Sequence, residues 1–364
     1  MPTVIDAIAT GHPPHRRSQD EAAAFMQNIE TLSPSLRSRL PAVYRSSHID
    51  YRYSCIADYG RDDPSDFTFF PPNWALEPAP TTRQRNEHYR AAVVPLATDV
   101  AQRALNDAGL EASDVTHVVV ASCTGFFAPG LDIELVKRLG LGRGTPRTFI
   151  GFMGCYAAFN ALRVADSFCQ QHPEARVLVV CAELCTLHFQ VEDALESVVV
   201  NALFSDGAAA AVLSNRPAAS GALTYVRSQT RLDDDSMDAM TWAIGNTGFL
   251  MGLSSRVPNV IAEHLPAYLR DLLPPATAPS DVGFWAIHPG GRAIVDKARE
   301  VIGLPPEAVR DSLEVLRQNG NMSSPTILFV LKRILERGPT ANPYGAAMAF
   351  GPGLTIEGAL LQWT

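Results

Sequence analysis

The chain has six cysteines, Cys55, Cys123, Cys155, Cys169, Cys181 and Cys185, but no CxxC pair and no Cys/His spacing that would hold zinc. A zinc-knot protein is excluded on that ground, and most of the thiols lie in apolar segments, as reduced core cysteines do. No apolar run is long enough to cross a bilayer. The opening Met1-Pro2-Thr3-Val4-Ile5-Asp6-Ala7 lacks a charged n-region and a long apolar h-region, so no signal peptide is expected. Long basic runs are missing too, and the formal net charge is −8, which argues against nucleic acid as a main partner. A reduced, cytoplasmic protein without a membrane span is expected.

What is present is an ordinary globular composition. Of 364 residues, 46% are hydrophobic, enough for a large core in two or three domains or one layered unit. Thr3-Val4-Ile5 reads as a strand. Residues 18–45 read as helical, with Ala22, Ala23, Phe25, Met26, Ile29, Leu32, Leu36 and Leu40 at helical spacing. Residues 60–82, rich in Asp, Pro and Phe, read as a surface excursion. A further helix is predicted from Arg83 to Ala108.

Three passages then recur in the same order. Ser113-Asp114-Val115 followed by Val118-Val119-Val120 resembles Ser280-Asp281-Val282 followed by Phe284-Trp285-Ala286-Ile287. A Gly-x-Met turn into an apolar helix follows each, Gly151-Phe152-Met153-Gly154-Cys155 and Gly320-Asn321-Met322. Small-residue strands close each half, Asp206–Val212 and Tyr344–Phe350. This predicts an internal duplication, with halves at 1–215 and 216–364, and α/β layers in each. Matching turns would then aim Cys155 and Asn321 at one central cleft, with His288 arriving from a strand end.

Each of these residues has a plain reading and a chemical one. Cysteine is a common buried residue, but a thiol at a helix start faces unpaired N–H groups and favours its thiolate. His288 ends an apolar strand at His288-Pro289-Gly290-Gly291. It is a strand-capping histidine or a partner for a thiolate near neutral pH. Asn321 is an N-cap or a neutral N–H donor to a developing oxyanion.

Cys155 in its Gly-flanked turn, His288 in His-Pro-Gly-Gly, Asn321 in Gly-Asn-Met-Ser-Ser and the C-terminal Ala349-Phe350-Gly351-Pro352-Gly353-Leu354-Thr355-Ile356-Glu357 together resemble the type III polyketide synthases, the chalcone synthase superfamily. Phe204-Ser205-Asp206-Gly207 also matches, with Ser205 where the family usually has Gly. The resemblance implies an α/β thiolase-like five-layered αβαβα fold, a homodimer and a Cys155-His288-Asn321 triad. It implies acyl-CoA and malonyl-CoA as substrates, and neither metal nor cofactor. Cys155 would carry an acyl starter that malonyl-CoA extends by decarboxylative condensation, before cyclisation to an alkylpyrone, an alkylresorcinol or a related aromatic product.

The resemblance also places substrate-binding residues. Phe204 falls at a gatekeeper position, and Met251 where plant chalcone synthases carry a second gatekeeping Phe. His188 falls where those enzymes have a Thr that controls cavity volume. Cys123 and Ser323 would line the cavity, with Gly291, Phe350, Gly351 and Pro352 from the two Gly-rich motifs. Arg39 matches a basic position for the coenzyme A phosphates. Two other such positions read Ala42 and Ser46, leaving Arg45 or Arg292 to compensate, and Ala128 stands where many plant members place a Met that reaches into the partner subunit. A single-condensation β-ketoacyl-acyl-carrier-protein synthase III is the alternative within the fold. A cysteine hydrolase is the alternative of another class.

Overall fold

The computed structural model describes residues 2–364. Its strands are β1 (Thr3–Gly11), β2 (His15–Ser18), β3 (Tyr51–Ser54), β4 (His117–Ser122), β5 (Arg147–Gly151), β6 (Arg176–Leu184), β7 (Asp206–Ser214), β8 (Leu223–Leu232), β9 (Met240–Gly245), β10 (Gly248–Leu253), β11 (Phe284–Ile287), β12 (Tyr344–Gly351) and β13 (Thr355–Trp363). Its helices are α1 (Gln19–Asn28), α2 (Pro34–Ser46), α3 (Thr82–Asp107), α4 (Leu131–Leu139), α5 (Ala157–Gln171), α6 (Leu195–Leu203), α7 (Val257–Leu272), α8 (Arg292–Ile302), α9 (Arg310–Asn319) and α10 (Thr326–Arg337).

One mixed sheet runs β11-β12-β13-β8-β1-β7-β6-β4-β5. On one side β7 is antiparallel to both β1 and β6, while β4 is parallel to β6 and β5. On the other, β13 is antiparallel to β8 and β12, and β12 is parallel to β11. Thus β8, β11, β12 and β13 repeat the arrangement of β1, β4, β6 and β7, and the two sets join where Thr3–Ile5 pair with Leu223–Tyr225. The first set has β5 beyond β4, whereas β11 ends the sheet on the other side, and Asn321 makes an isolated bridge to Phe204.

The repeat corrects one of the three sequence matches. Tyr344–Phe350 lies in β12, whose counterpart is β6, and the counterpart of Asp206–Val212 in β7 is β13. Small residues mark tight packing here rather than place in the repeat. A Cβ on Gly207 would lie 2.4 Å from Met322 Sδ, and one on Gly345 would enter the Phe284 ring at 1.9 Å.

Helices α5 and α10 lie between the two strand sets, burying Phe159, Leu162, Ile327, Leu328 and Val330 in a central core. Helix α3 covers the outer face of β1, β6 and β7, and α7 packs on β8 and β13 with α8 beside it. That stacking is the αβαβα layering. Glu357 on β13 meets Arg163 on α5 inside it, with Thr230 Oγ1 donating to the same carboxylate at 2.9 Å. The Glu357 side chain is only 4% exposed, whereas Arg163 reaches water. Glu357→Ala should therefore cost about 2 kcal/mol, chiefly from the polar partners it strands. Urea unfolding of the two proteins at pH 7 checks this.

Two sequence expectations change in the N-terminal region. The helix predicted over 18–45 is two helices, because Ser33 caps α2 by accepting from Leu36 N–H and Pro34 opens it. The 60–82 excursion is not simply surface. Phe70 is buried and packs on Tyr59 and Phe189, while Phe67 and Trp74 pack on Phe25 and Phe69 on Phe70, all at ring separations near 5–6 Å. Asp58, fully buried, pins the loop by accepting from Thr68 N and Oγ1, Phe69 N and Phe70 N at 2.8–2.9 Å.

Candidate active site

Cys155 sits in a short 3₁₀ turn, Gly154–Tyr156, that runs directly into α5. Gly154 has φ +74°, a left-handed conformation that suits glycine, and a Cβ there would lie 2.8 Å from Pro352 Cδ. Gly351 packs equally closely, since a Cβ on it would lie 2.6 Å from the Tyr156 ring. Tyr156 Oη donates to Pro352 O at 3.2 Å. The Cys155 turn is thus clamped by the Gly351-Pro352 turn of the opposite half.

The sulfur is buried, at 7% exposure for the residue. Burial pushes its pKa up to about 11, opposed by hydrogen bonds from Ser323 and Asn321 and reinforced by the Glu183 carboxylate. The sequence expectation of a thiolate favoured by the helix start does not hold for the free protein. A helix terminus is worth about 1 kcal/mol, less than the desolvation of a fully enclosed charge.

Asn321 lies five residues before α10 begins at Thr326, so it is not that helix's cap. Its Oδ1 accepts from Ser323 N–H at 2.8 Å and its Nδ2 donates to Gly290 O at 3.1 Å. These two bonds fix the amide, which is close enough to Cys155 to draw its thiol pKa down against the effect of burial. The main chain is held as well, with Asn321 N donating to Leu203 O and Asn321 O accepting from Ser205 N, both at 2.9 Å.

His288 follows β11 and is 1% exposed. Its N–H donates to Met348 O at 2.8 Å, but neither ring nitrogen has a hydrogen-bond partner among the described residues. Burial lowers its pKa to about 3, so the imidazole is neutral. The Gly290 carbonyl that holds Asn321 is two residues along the chain. An unpartnered neutral imidazole can take up a proton, and an oriented amide can donate to an oxygen that gains charge.

A cavity of about 190 Å³ opens at the sulfur, lined by Cys155, Cys123, Ser323, His188, Phe204, Met251 and Pro352 among the residues singled out from sequence. The others do not line it, His288 and Asn321 included, both of which are buried. Arg39 is exposed on α2 away from this wall, Phe350 is 2% exposed in the core, and Gly291 and Gly351 are buried behind the lining. Phe25, Met26, Tyr59, Phe189 and Trp242 complete an apolar lining that sequence reasoning missed.

Glu183 was also missed, although a carboxylate within the apolar run of β6 is a legible signal. It is fully buried and accepts from Cys123 N at 3.0 Å, Thr124 Oγ1 at 2.7 Å and Ser324 Oγ at 2.7 Å. It ties the Cys123 loop to the Ser323-Ser324 turn, and burial raises its pKa. Cys123 Sγ lies 3.7 Å from Ser323 Oγ in the same cluster.

His188 has both nitrogens engaged. Nε2 donates to Thr124 O at 2.7 Å, and Nδ1 accepts from Phe249 N–H at 3.0 Å. The ring stacks on Phe249 at 4.2 Å, and Trp242 beside it donates Nε1–H to Cys123 O at 2.8 Å. His188 therefore braces the β9–β10 hairpin that walls the cavity. Burial lowers its pKa to about 4, and only the neutral form can accept from Phe249. With the folded value below the ordinary 6.5, its contribution to stability is complete above pH 6.5 and lost as pH falls toward 4. His188→Phe keeps the stack and loses both bonds. It should cost about 2 kcal/mol at pH 7 and flatten part of the stability loss between pH 6.5 and 4, read by urea unfolding across that range.

Comparison with known proteins adds to this geometry. The family model for chalcone and stilbene synthases matches residues 2–217 with its N-terminal domain and 225–363 with its C-terminal domain. The chain is 35% identical over 366 residues to the alpha-pyrone synthesis polyketide synthase-like Pks18 of Mycobacterium tuberculosis, covering 99% of this chain and 91% of that one. The crystal structure of PKS-I from the brown alga Ectocarpus siliculosus superposes with TM-score 0.91 at 36% identity, covering 100% of this chain and 98% of that one. CsyB complexed with CoA-SH superposes with TM-score 0.89 at 27% identity over the whole of both chains.

Proposed function

Since the chain belongs to the chalcone and stilbene synthase family and is a type III polyketide synthase, with the thiolase-like fold of that family, we propose that Cys155, His288 and Asn321 carry its chemistry. The observation that carries the assignment is the placement of the Asn321 amide and Ser323 hydroxyl at a buried thiol on the wall of an apolar cavity. Neutral His288 takes the thiol proton as Cys155 attacks an acyl-CoA thioester, and passes it to the departing coenzyme A sulfur. The net change is one thioester exchanged for another. The imidazole is then neutral again, with one N–H to donate.

Malonyl-CoA next loses carbon dioxide, and the electron pair of the broken C–C bond becomes an enolate. His288 and Asn321 donate to its oxygen. The enolate carbon attacks the acyl-Cys155 carbonyl and the C–S bond breaks, freeing the Cys155 thiolate and leaving a chain two carbons longer on coenzyme A, which then transfers back to Cys155 for the next round. Both donors are neutral, so they stabilise the anion without requiring it to be protonated. Phe204, Met251, His188, Cys123, Ser323 and Pro352 shape the space for the growing chain. Coenzyme A thioesters are the substrates of the family, which uses no cofactor of its own.

An alkylpyrone from an aliphatic starter is the product this reading favours, supported by the apolar cavity and the likeness to an alpha-pyrone synthesis relative. The division of the chain near residue 215 is part of the proposal, supported by the repeated strand order. A homodimer is proposed as well, supported by β5 at the open edge of the sheet with Phe149 38% exposed. No helix among the described residues is long and apolar enough to cross a membrane, which fits action in the cytoplasm.

Incubation with a panel of acyl-CoA starters and malonyl-CoA, read by mass spectrometry, tests the function. Multiply extended lactones without any carrier protein are expected. A single condensation that demands malonyl-carrier protein would instead select the synthase III alternative.

A further inference from the structure

We propose that Arg17 and Arg52 form an anion-binding subsite within the Cys155 cavity, taking a phosphate or carboxylate group of the substrate. The proposal rests on the reading that thioesters enter this cavity. The β2–β3 pair sets Arg17 directly opposite Arg52, and both side chains line the cavity. Like charges facing each other across an antiparallel pair repel. In an ordinary surface ladder such a pair would be interleaved with carboxylates. Among the described residues, neither guanidinium has an acidic partner within 4 Å.

The two arginines are not equivalent. Arg52 is held in place by neutral acceptors, with Nε donating to Gln19 Oε1 at 2.8 Å and Nη1 to Asn201 O at 2.7 Å and Phe204 O at 2.8 Å. Those carbonyls belong to the C-terminal end of α6, where a cation is favoured. Arg17 donates only Nη1 to Arg16 O at 3.0 Å, and its Nε is shielded from solvent without a partner. A fixed positive charge beside Phe204 thus faces a second guanidinium with donors to spare.

Three carboxylates are near enough to compete. Glu21 is the first, but its Oε2 already accepts from Ser18 N and Ser18 Oγ at 2.6 and 2.8 Å. Glu192 and Glu196 line the same cavity but are exposed at its rim. Paired guanidinium forks suit the flat, two-oxygen face of a carboxylate or phosphate. The group could arrive on coenzyme A, as a phosphate, or on the far end of the acyl chain, as a carboxylate.

Calorimetry on the intact protein separates the sources. The phosphate arm compares coenzyme A with pantetheine, which lacks the phosphates. The carboxylate arm compares adipyl- with hexanoyl-N-acetylcysteamine. Arg17→Gln is expected to weaken the anionic member of one pair about tenfold and its neutral analogue less than twofold. Arg17→Lys should keep most of the affinity. Unchanged affinity for all four probes, or an equal fall within both pairs, would overturn the subsite. Failure of the wild-type protein to extend any starter would instead overturn the functional reading, while the binding contrast would still stand.

Discussion

Cys155→Ala extends no acyl-CoA starter. Product from malonyl-CoA should fall by roughly 10³-fold or more, to background, because the acyl chain is then without its carrier thiol. The fold should survive, since alanine at a turn already clamped by Gly351 and Pro352 removes one sulfur and adds nothing. Mass spectrometry of the intact protein after incubation with a starter shows the loss directly: the wild type gains the acyl mass and the variant does not. Wild-type polyketide output from the variant would sink the mechanism.

The same residue carries a pH signature. With the thiol pushed up to about 11 by burial, alkylation by iodoacetamide should be slow at pH 7 and rise steadily above pH 9. A preformed thiolate–imidazolium pair would label fast at pH 7 with little dependence on pH. That outcome would replace proton transfer during attack with an ion pair already in place.

Asn321→Ala has the second largest expected effect, and it falls on a different step. Loss of one neutral donor to an enolate oxygen should slow malonyl-CoA decarboxylation about 100-fold, with starter loading reduced far less. Stopped-flow acylation and release of labelled carbon dioxide separate the two. The variant also loses the bonds to Gly290 and Ser323, so the His288 turn loosens with it. Asn321→Asp serves as the comparison. It retains an oxygen that can accept from Ser323 N–H, but places an acceptor and a negative charge where a donor is needed. Decarboxylation should be slower still in that variant. Equal loss of loading and decarboxylation in both would assign Asn321 to packing alone.

Much of this site could be read along the chain, for a physical reason. Cys155, His288 and Asn321 stand in Gly-rich turns at the ends of apolar segments, where a reactive or polar group has space beside it. The matched turns pointed Cys155 and Asn321 toward one cleft, and in the structure the amide is close enough to lower the thiol pKa, although Asn321 does not itself line the cavity. The protonation state was not legible, because desolvation depends on every layer around the thiol rather than on the helix that follows it. Nor was the role of His188, whose two partners, Thr124 and Phe249, lie 64 and 61 residues away. Arg17 and Arg52 become neighbours only through a pairing across 35 positions, which periodicity does not show. In the fold, alternation of strand and helix gave the α/β class, while Ser33-Pro34 hid a helix break inside a continuous apolar pattern.

The position of β1 sets a timetable for synthesis. Its residues are made long before their partners, yet they occupy the middle of the sheet, with Val4 opposite both Ser214 and Thr224. Neither edge of that strand can be satisfied until residues 206–232 have been made. The segment must therefore wait, exposed, for partners some 200 residues downstream. Premature release or a pause before residue 206 would leave an apolar strand with two open edges, and chaperone capture of such nascent chains is the expected cost of building the centre of the sheet first.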